Sequence, residues 1–124
     1  MIIMAPISVG ELIDKITILS LKLTRITDAD KRKNVLNEFN QLNRIAETLN
    51  PKVGLKTLYQ ELYQINAALW DIENGKRQHE KDQKFDEEFI ELSRKVYLLN
   101  DERAKIKRRI NELLGSSIIE EKQH

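Results

Sequence analysis

Residues 89–113 read FIELSRKVYLLNDERAKIKRRINEL. Within them Phe89, Leu92, Val96, Leu99, Arg103, Ile106, Ile110 and Leu113 follow one another in alternating steps of three and four. That spacing sets all eight on one stripe of a helix, the seam of a heptad repeat. Seven are apolar and one is an arginine. A charge on a packed seam costs free energy unless an opposite charge meets it. The stretch thus predicts a long packed helix and, with it, a polar partner for Arg103 inside the bundle.

The same periodicity recurs three times upstream. Ser8-Val9-Gly10-Glu11 has the form of a capping box, and Leu12, Ile16, Leu19, Leu23 and Ile26 follow on one stripe. Val9, Ile13 and Ile18 widen that apolar face and predict a central position for the first helix. Asp28 or Asp30 caps the second helix, whose stripe is Val35, Phe39, Leu42, Ala46 and Leu49. Asn50-Pro51 ends it. The third helix carries Leu55, Leu58, Leu62, Ile65, Leu69 and Ile72 and is expected to run through Gly75 toward Glu80. The turn falls in the charged stretch 76–84, the fourth helix runs from near Asp86 to Leu114, and Gly115 caps it. A 28-residue helix is about 42 Å long, more than one 124-residue bundle readily covers, so a homodimer is expected. The fold class is all-α, with one helical domain over 1–124. It is an antiparallel helical bundle of about four helices, with a long hairpin of the third and fourth helices and short extended termini. Residues 1–7 are expected to be extended and docked, and Ile118-Ile119 to pack on the bundle or on that segment.

Composition narrows the function classes. There are 21 basic and 20 acidic residues, a net charge of +1, and no cysteine. No overall field favours nucleic acid or an anionic membrane, and neither a disulfide framework nor a thiolate metal site can form. The cysteine-free chain fits the cytoplasm. No apolar run reaches the roughly 20 residues of a membrane span, and MIIMAPIS makes a poor signal peptide. His79 and His124 lack metal-ligand spacing. No cofactor-binding motif is present, and no metal is expected. Glu87-Glu88-x-x-Glu91 resembles the acidic pattern of all-α nucleotide pyrophosphohydrolases, but the second acidic pair is missing, and acids suit a first helical turn. Lys105, Lys107, Arg108 and Arg109 spread around the helix without an aromatic platform, a poor nucleic-acid site.

Candidate functional residues lie beside the seams. Tyr59, Tyr63, Asn66, Trp70, Glu73 and Arg77 form a second stripe on the third helix, and Ser93, Tyr97, Asn100, Ala104, Lys107 and Asn111 one on the fourth. If these helices are antiparallel, Glu73 is the expected partner of Arg103, with Asn66, Asn100 and Tyr97 completing a buried network. One reading is structural: the network sets register and oligomeric state. Arg103→Met is then expected to keep or raise stability while changing the oligomer. The other is a small-anion or nucleotide-sugar site between these helices, using Asn66, Trp70, Glu73, Arg94, Tyr97, Asn100, Arg103 and Lys107. Helical dimeric enzymes of the chorismate mutase kind give a physical analogue, with Lys15, Arg94, Arg103 and Lys107 as the cations. On the first helix Glu11 and Lys15 form an ion pair four residues apart, and Asp14 stands out between Ile13 and Ile16.

Three motifs, VGELIDKITIL, ALWDIE and VYLLNDERAKIKRRIN, resemble over nearly the whole length a small bacterial and phage family known only as a domain of unknown function. The resemblance implies a mostly helical fold and no established reaction. It weakly implies an accessory role beside surface-polysaccharide synthesis, since relatives are often encoded near glycosyltransferases. Its motif residues fall here on Glu11, Asp14, Lys15, Asn66, Trp70, Glu73, Arg94, Tyr97, Asn100, Asp101, Arg103, Lys107 and Asn111. The family's pattern closes on an aromatic residue, where this chain has Gln123-His124. Function is expected to rest on assembly with a second copy or another protein, with anion binding as the alternative.

Overall fold

The computed structural model describes residues 1–50 and 52–124, and among them there are four helices and no strand. They are α1 (Val9–Arg25), α2 (Ala29–Ala46), α3 (Leu55–Asp82) and α4 (Glu87–Leu114). The all-α reading holds, including the long hairpin of α3 and α4. Each start signal in the sequence has its physical counterpart. Ser8 Oγ accepts from Glu11 N at 3.1 Å, Asp28 Oδ1 from Lys31 N at 2.9 Å, and Asp86 Oδ1 from Phe89 N at 3.1 Å. These bonds satisfy amides that have no partner within their own helix. At the far end of α4, Gly115 takes a left-handed φ of 65°, open to glycine at no steric cost. Pro51, expected to stop α2, lies outside the described residues. The helix already ends at Ala46, and the amides of Glu47, Thr48 and Leu49 close tight turns after it.

The helix α1 lies against both α3 and α4, while α2 contacts α1 alone. Gly10 sits beside Asn111, and Asp14 beside Arg103, so α1 runs antiparallel to α4. Thr17 meets Asn66 and Arg25 meets Asp71, so it runs parallel to α3. The fully packed apolar residues are Leu12, Ile13, Ile16, Leu19 and Leu21 of α1, Leu62 and Ile72 of α3, and Ile106 and Ile110 of α4. The wide apolar face of α1 does give it the central place. By contrast α2 buries no residue. The turn between α3 and α4 is shorter than the charge run suggested, because α3 continues to Asp82. Residues 76–82 are mostly good helix formers with no proline among them, and Gln83 turns the chain at a left-handed φ of 52°.

Both termini differ from expectation. Residues 1–7 form no helix or strand and are all exposed, bordering a hollow of about 650 Å³ between the start of α1 and the end of α2. Ile118 and Ile119 are likewise exposed. The C-terminal segment is attached through charges instead. Lys107 pairs with Glu120, Arg108 with Glu121 and Lys122 with Asp101.

At Gly10 the helices α1 and α4 come close together. A Cβ there would lie against the Lys107 carbonyl oxygen, and 2.9 Å from Asn111 Oδ1. Alanine ordinarily stabilises a helix by about 1 kcal/mol over glycine. At Gly10 that sign reverses: Gly10→Ala is expected to cost about 1–3 kcal/mol in urea unfolding.

Candidate functional site

At the centre of the three packed helices is the carboxylate of Asp14, with no solvent exposure. Its Oδ1 accepts from Asn66 Nδ2 at 3.0 Å and from Arg103 Nε at 3.0 Å. Its Oδ2 accepts from a second guanidinium nitrogen of Arg103 at 2.5 Å. Arg103 therefore grips the carboxylate with two parallel bonds, the geometry in which arginine binds most strongly. Thr17 Oγ1 donates to the Asp14 carbonyl at 2.7 Å and accepts from Asn66 Nδ2 at 2.9 Å. Asn100 Oδ1 takes a longer bond from Arg103, at 3.4 Å. Among the described residues no buried side-chain polar atom is left without a partner. The hydrogen bond to Asp14 does most to hold the Arg103 guanidinium above the ordinary arginine value. Burial works against it, and the charges of Asp14, Glu11 and Glu120 add to the rise.

One turn along α4 lies a second ion group. Lys107 Nζ donates to Glu11 Oε2 at 2.6 Å and to Glu120 Oε2 at 2.9 Å. Its side chain is only 11% exposed. Burial is the largest single influence on this ammonium and lowers its pKa. The hydrogen bonds to Glu11 and Glu120, with the charges of Glu11 and Asp14, outweigh burial and leave it raised. The α1 amino terminus closes the row. Gly10 N donates to Asn111 Oδ1 at 2.6 Å and Val9 N to Ser116 Oγ at 3.1 Å, so α4 caps α1 from across the chain.

Glu73, the partner that the sequence predicts for Arg103, does not pair with it. Glu73 is exposed and lies near Lys76, at 3.9 Å, while Asp14, a residue of α1, takes the guanidinium. Asn66 and Asn100 do join the network. Tyr97 does not: it is 55% exposed. Arg94 is exposed beside Glu91 at 3.5 Å. Trp70, one turn beyond Asn66, is partly buried and outside the polar network. Lys15 forms the expected surface pair with Glu11 at 3.7 Å, and Asp101 holds Lys122 of the C-terminal segment. Of the capping box only the Ser8 arm is made; the Glu11 carboxylate turns to Lys107 and Lys15. Spacing missed Thr17, whose hydroxyl sits one turn from Asp14, and Glu120, whose position in the tail carried no periodic signal.

Chemically, this is a set of cations already neutralised. An open groove of about 500 Å³ is lined by Glu11, Asn100, Arg103, Ala104, Lys107 and Glu120 to Lys122. Trp70 and Glu73 do not border it. No cluster of potential metal ligands exists among the described residues, and no helix is long and apolar enough to cross a membrane.

The pairing reverses the expectation for Arg103→Met. It would strand a sealed carboxylate, so a loss of about 3–5 kcal/mol is expected in urea unfolding. Adding Asp14→Asn should recover part of that loss, because the charge disappears; a double variant less stable than Arg103→Met would contradict the pairing. For Lys107 the folded pKa lies above the ordinary 10.5. Its contribution is complete below that pH and is lost as pH rises through the higher folded value. Thermal melts from about pH 9 to about pH 11.5 should show wild type losing its advantage over Lys107→Met.

A family model described as a family of unknown function (DUF6165) matches residues 3–124, and the chain belongs to that family. No curated protein and no solved structure matches it.

Proposed function

We propose, for this member of a family without an assigned activity, that the protein is a non-catalytic accessory protein working through assembly, with a second copy of itself as first partner. The observation that supports this most is an unfinished core. From Glu73 through Lys105 no residue is buried, although Phe89, Leu92, Val96 and Leu99 continue the heptad seam there. Phe85, Ile90, Tyr97 and Leu98 are exposed in the same span. The chain exposes 8866 Å², whereas a compact monomer of 14.6 kDa exposes about 6,900 Å². The excess of about 2,000 Å² has the size that each partner gives up in a permanent homodimer.

Two such hairpins laid together make a four-helix bundle, in which the half-covered seams become a shared core. The arrangement lends little support to a small-anion enzyme, since Arg103 and Lys107 each hold a carboxylate of their own chain. A cysteine-free chain makes no demand on an oxidising compartment, and the reading places the protein in the cytoplasm. An accessory role beside surface-polysaccharide synthesis is part of the same proposal and rests on the family resemblance.

Sedimentation equilibrium at tens of micromolar tests the central claim. The wild type should sediment at twice 14.6 kDa. Ile90→Glu combined with Leu98→Glu should give a monomer that keeps its helical circular dichroism. A wild type that stays monomeric would reject self-assembly.

A further inference from the structure

The C-terminal segment after Gly115 is held in an unusual way for the end of a helical chain. Its two large apolar residues, Ile118 and Ile119, are exposed, and it forms no helix or strand. What attaches it is a set of charge pairs with α4. Glu120 meets Lys107 at 2.9 Å, Glu121 meets Arg108 at 3.3 Å, and Lys122 meets Asp101 at 2.5 Å. An acid-acid-base sequence in the tail thus answers base, base and acid on the helix. Ser116, bonded to Val9 N and to the Ile118 carbonyl, fixes where the segment leaves.

The two sides of this contact differ in how firmly they are built. On the helix side, Lys107 is buried and fixed by Glu11 at 2.6 Å, with Arg103 and Asn100 bordering the same groove. On the tail side Glu120 and Glu121 are largely exposed. Exposed ion pairs contribute little each and weaken with salt. Loss of Glu120 would leave a buried ammonium with one carboxylate and an unfilled position beside it. At Lys107 the receiving position is therefore preformed, and the tail is held there chiefly by its tether. A short tether supplies an effective concentration on the order of millimolar, enough to keep weak contacts closed.

We propose that the face of α4 that holds the tail, formed by Lys107 and Arg108 with Asp101, is a docking site for an acidic peptide segment of a partner protein. The C-terminal Glu120-Glu121-Lys122 segment is its internal competitor. The tail is itself a segment without helix or strand in which adjacent carboxylates are followed by a base, and the ligand class is a peptide with that charge order. The inference extends the assembly reading to a second surface, and it does not require the hairpin interface to exist.

The test uses the full chain and a fluorescent peptide of residues 116–124, SSIIEEKQH, read by anisotropy. Glu120→Gln with Glu121→Gln in the protein weakens the tether's hold. The peptide should bind this variant roughly tenfold or more tighter than wild type, and binding should fall with salt. Adding Arg108→Gln, a surface change, or Lys107→Met should abolish it, as should replacing both glutamates of the peptide by glutamine. Equal binding to wild type and variant, or none to a variant with native circular dichroism, would overturn the proposal. So would displacement by pyrophosphate at lower concentration than by unlabelled peptide, which would mark a simple anion pocket. Sedimentation of the same samples reads self-assembly separately, so failure of one claim is distinguishable from failure of the other.

Discussion

Asp14 carries a carboxylate with no solvent access on the packed face of α1, and the neighbouring helices are arranged to meet that demand. A sealed carboxylate is tolerated only where donors converge on it. Here one donor comes from α3, through Asn66, and two from α4, through Arg103. Apolar packing alone would not select this arrangement. The seam of α4 repeats every seven residues, and a slip of one heptad would bring Val96 or Ile110 opposite Asp14. Such a slip keeps most hydrophobic contacts and loses the arginine. The buried pair therefore acts on register, the best-attested use of polar groups on helical seams.

That constraint extends along α4 as a ladder. Asn111, Lys107 and Arg103 are spaced by four residues, and they meet Gly10, Glu11 and Asp14 in the opposite order, as antiparallel helices require. Each rung uses the donor or acceptor its surroundings call for. Where the carboxylate is sealed, the planar fork of arginine covers both oxygens. Where two carboxylates approach from α1 and from the tail, the ammonium of lysine serves both. Where α1 begins, an amide oxygen accepts a backbone N–H, and the missing Cβ of Gly10 lets the helices come close enough. Removing a rung disturbs its neighbours, because Arg103 and Lys107 share the charges of Glu11, Asp14 and Glu120.

How much of this was legible in the sequence depends on the range of the interaction. The capped helix limits were, because caps act over three or four residues: Ser8, Asp28, Asp86 and Gly115 all stand where their chemistry is needed, whereas the uncapped ends of α2 and α3 were misplaced. The charge on the α4 seam was legible too, since the heptad spacing singles out Arg103. Its partner was not. Periodicity reports which residues share a face but not which helix lies opposite, and Asp14 is 89 positions away in the chain. Glu73 had the right charge on a helix correctly expected to adjoin α4. Yet α1, with the broader apolar face, fills the side of the hairpin that Arg103 points into. The same ignorance of neighbours let Trp70, Arg94 and Tyr97 be grouped with Asn66 and Asn100. The tail was least legible, because its attachment is a match of charges between segments and no helical period marks it.

Burial is concentrated in one part of the molecule, and so is specificity. Among the described residues, every buried one lies in α1 or its Ser8 cap, in α3 up to Ile72, or in α4 from Ile106 onward. The hairpin between those limits has the helix-forming sequence and a half-covered seam, but no fully buried residue. Helical stability in proteins comes mainly from tertiary burial of an apolar face, so this stretch belongs at the low end of local stability in the isolated chain. A chain that specifies one register through a sealed ion pair at one end can leave the other end to be completed by association. The polar centre keeps α1 from sliding, and under the proposed assembly the half-covered seam is the apolar surface that a second copy would cover.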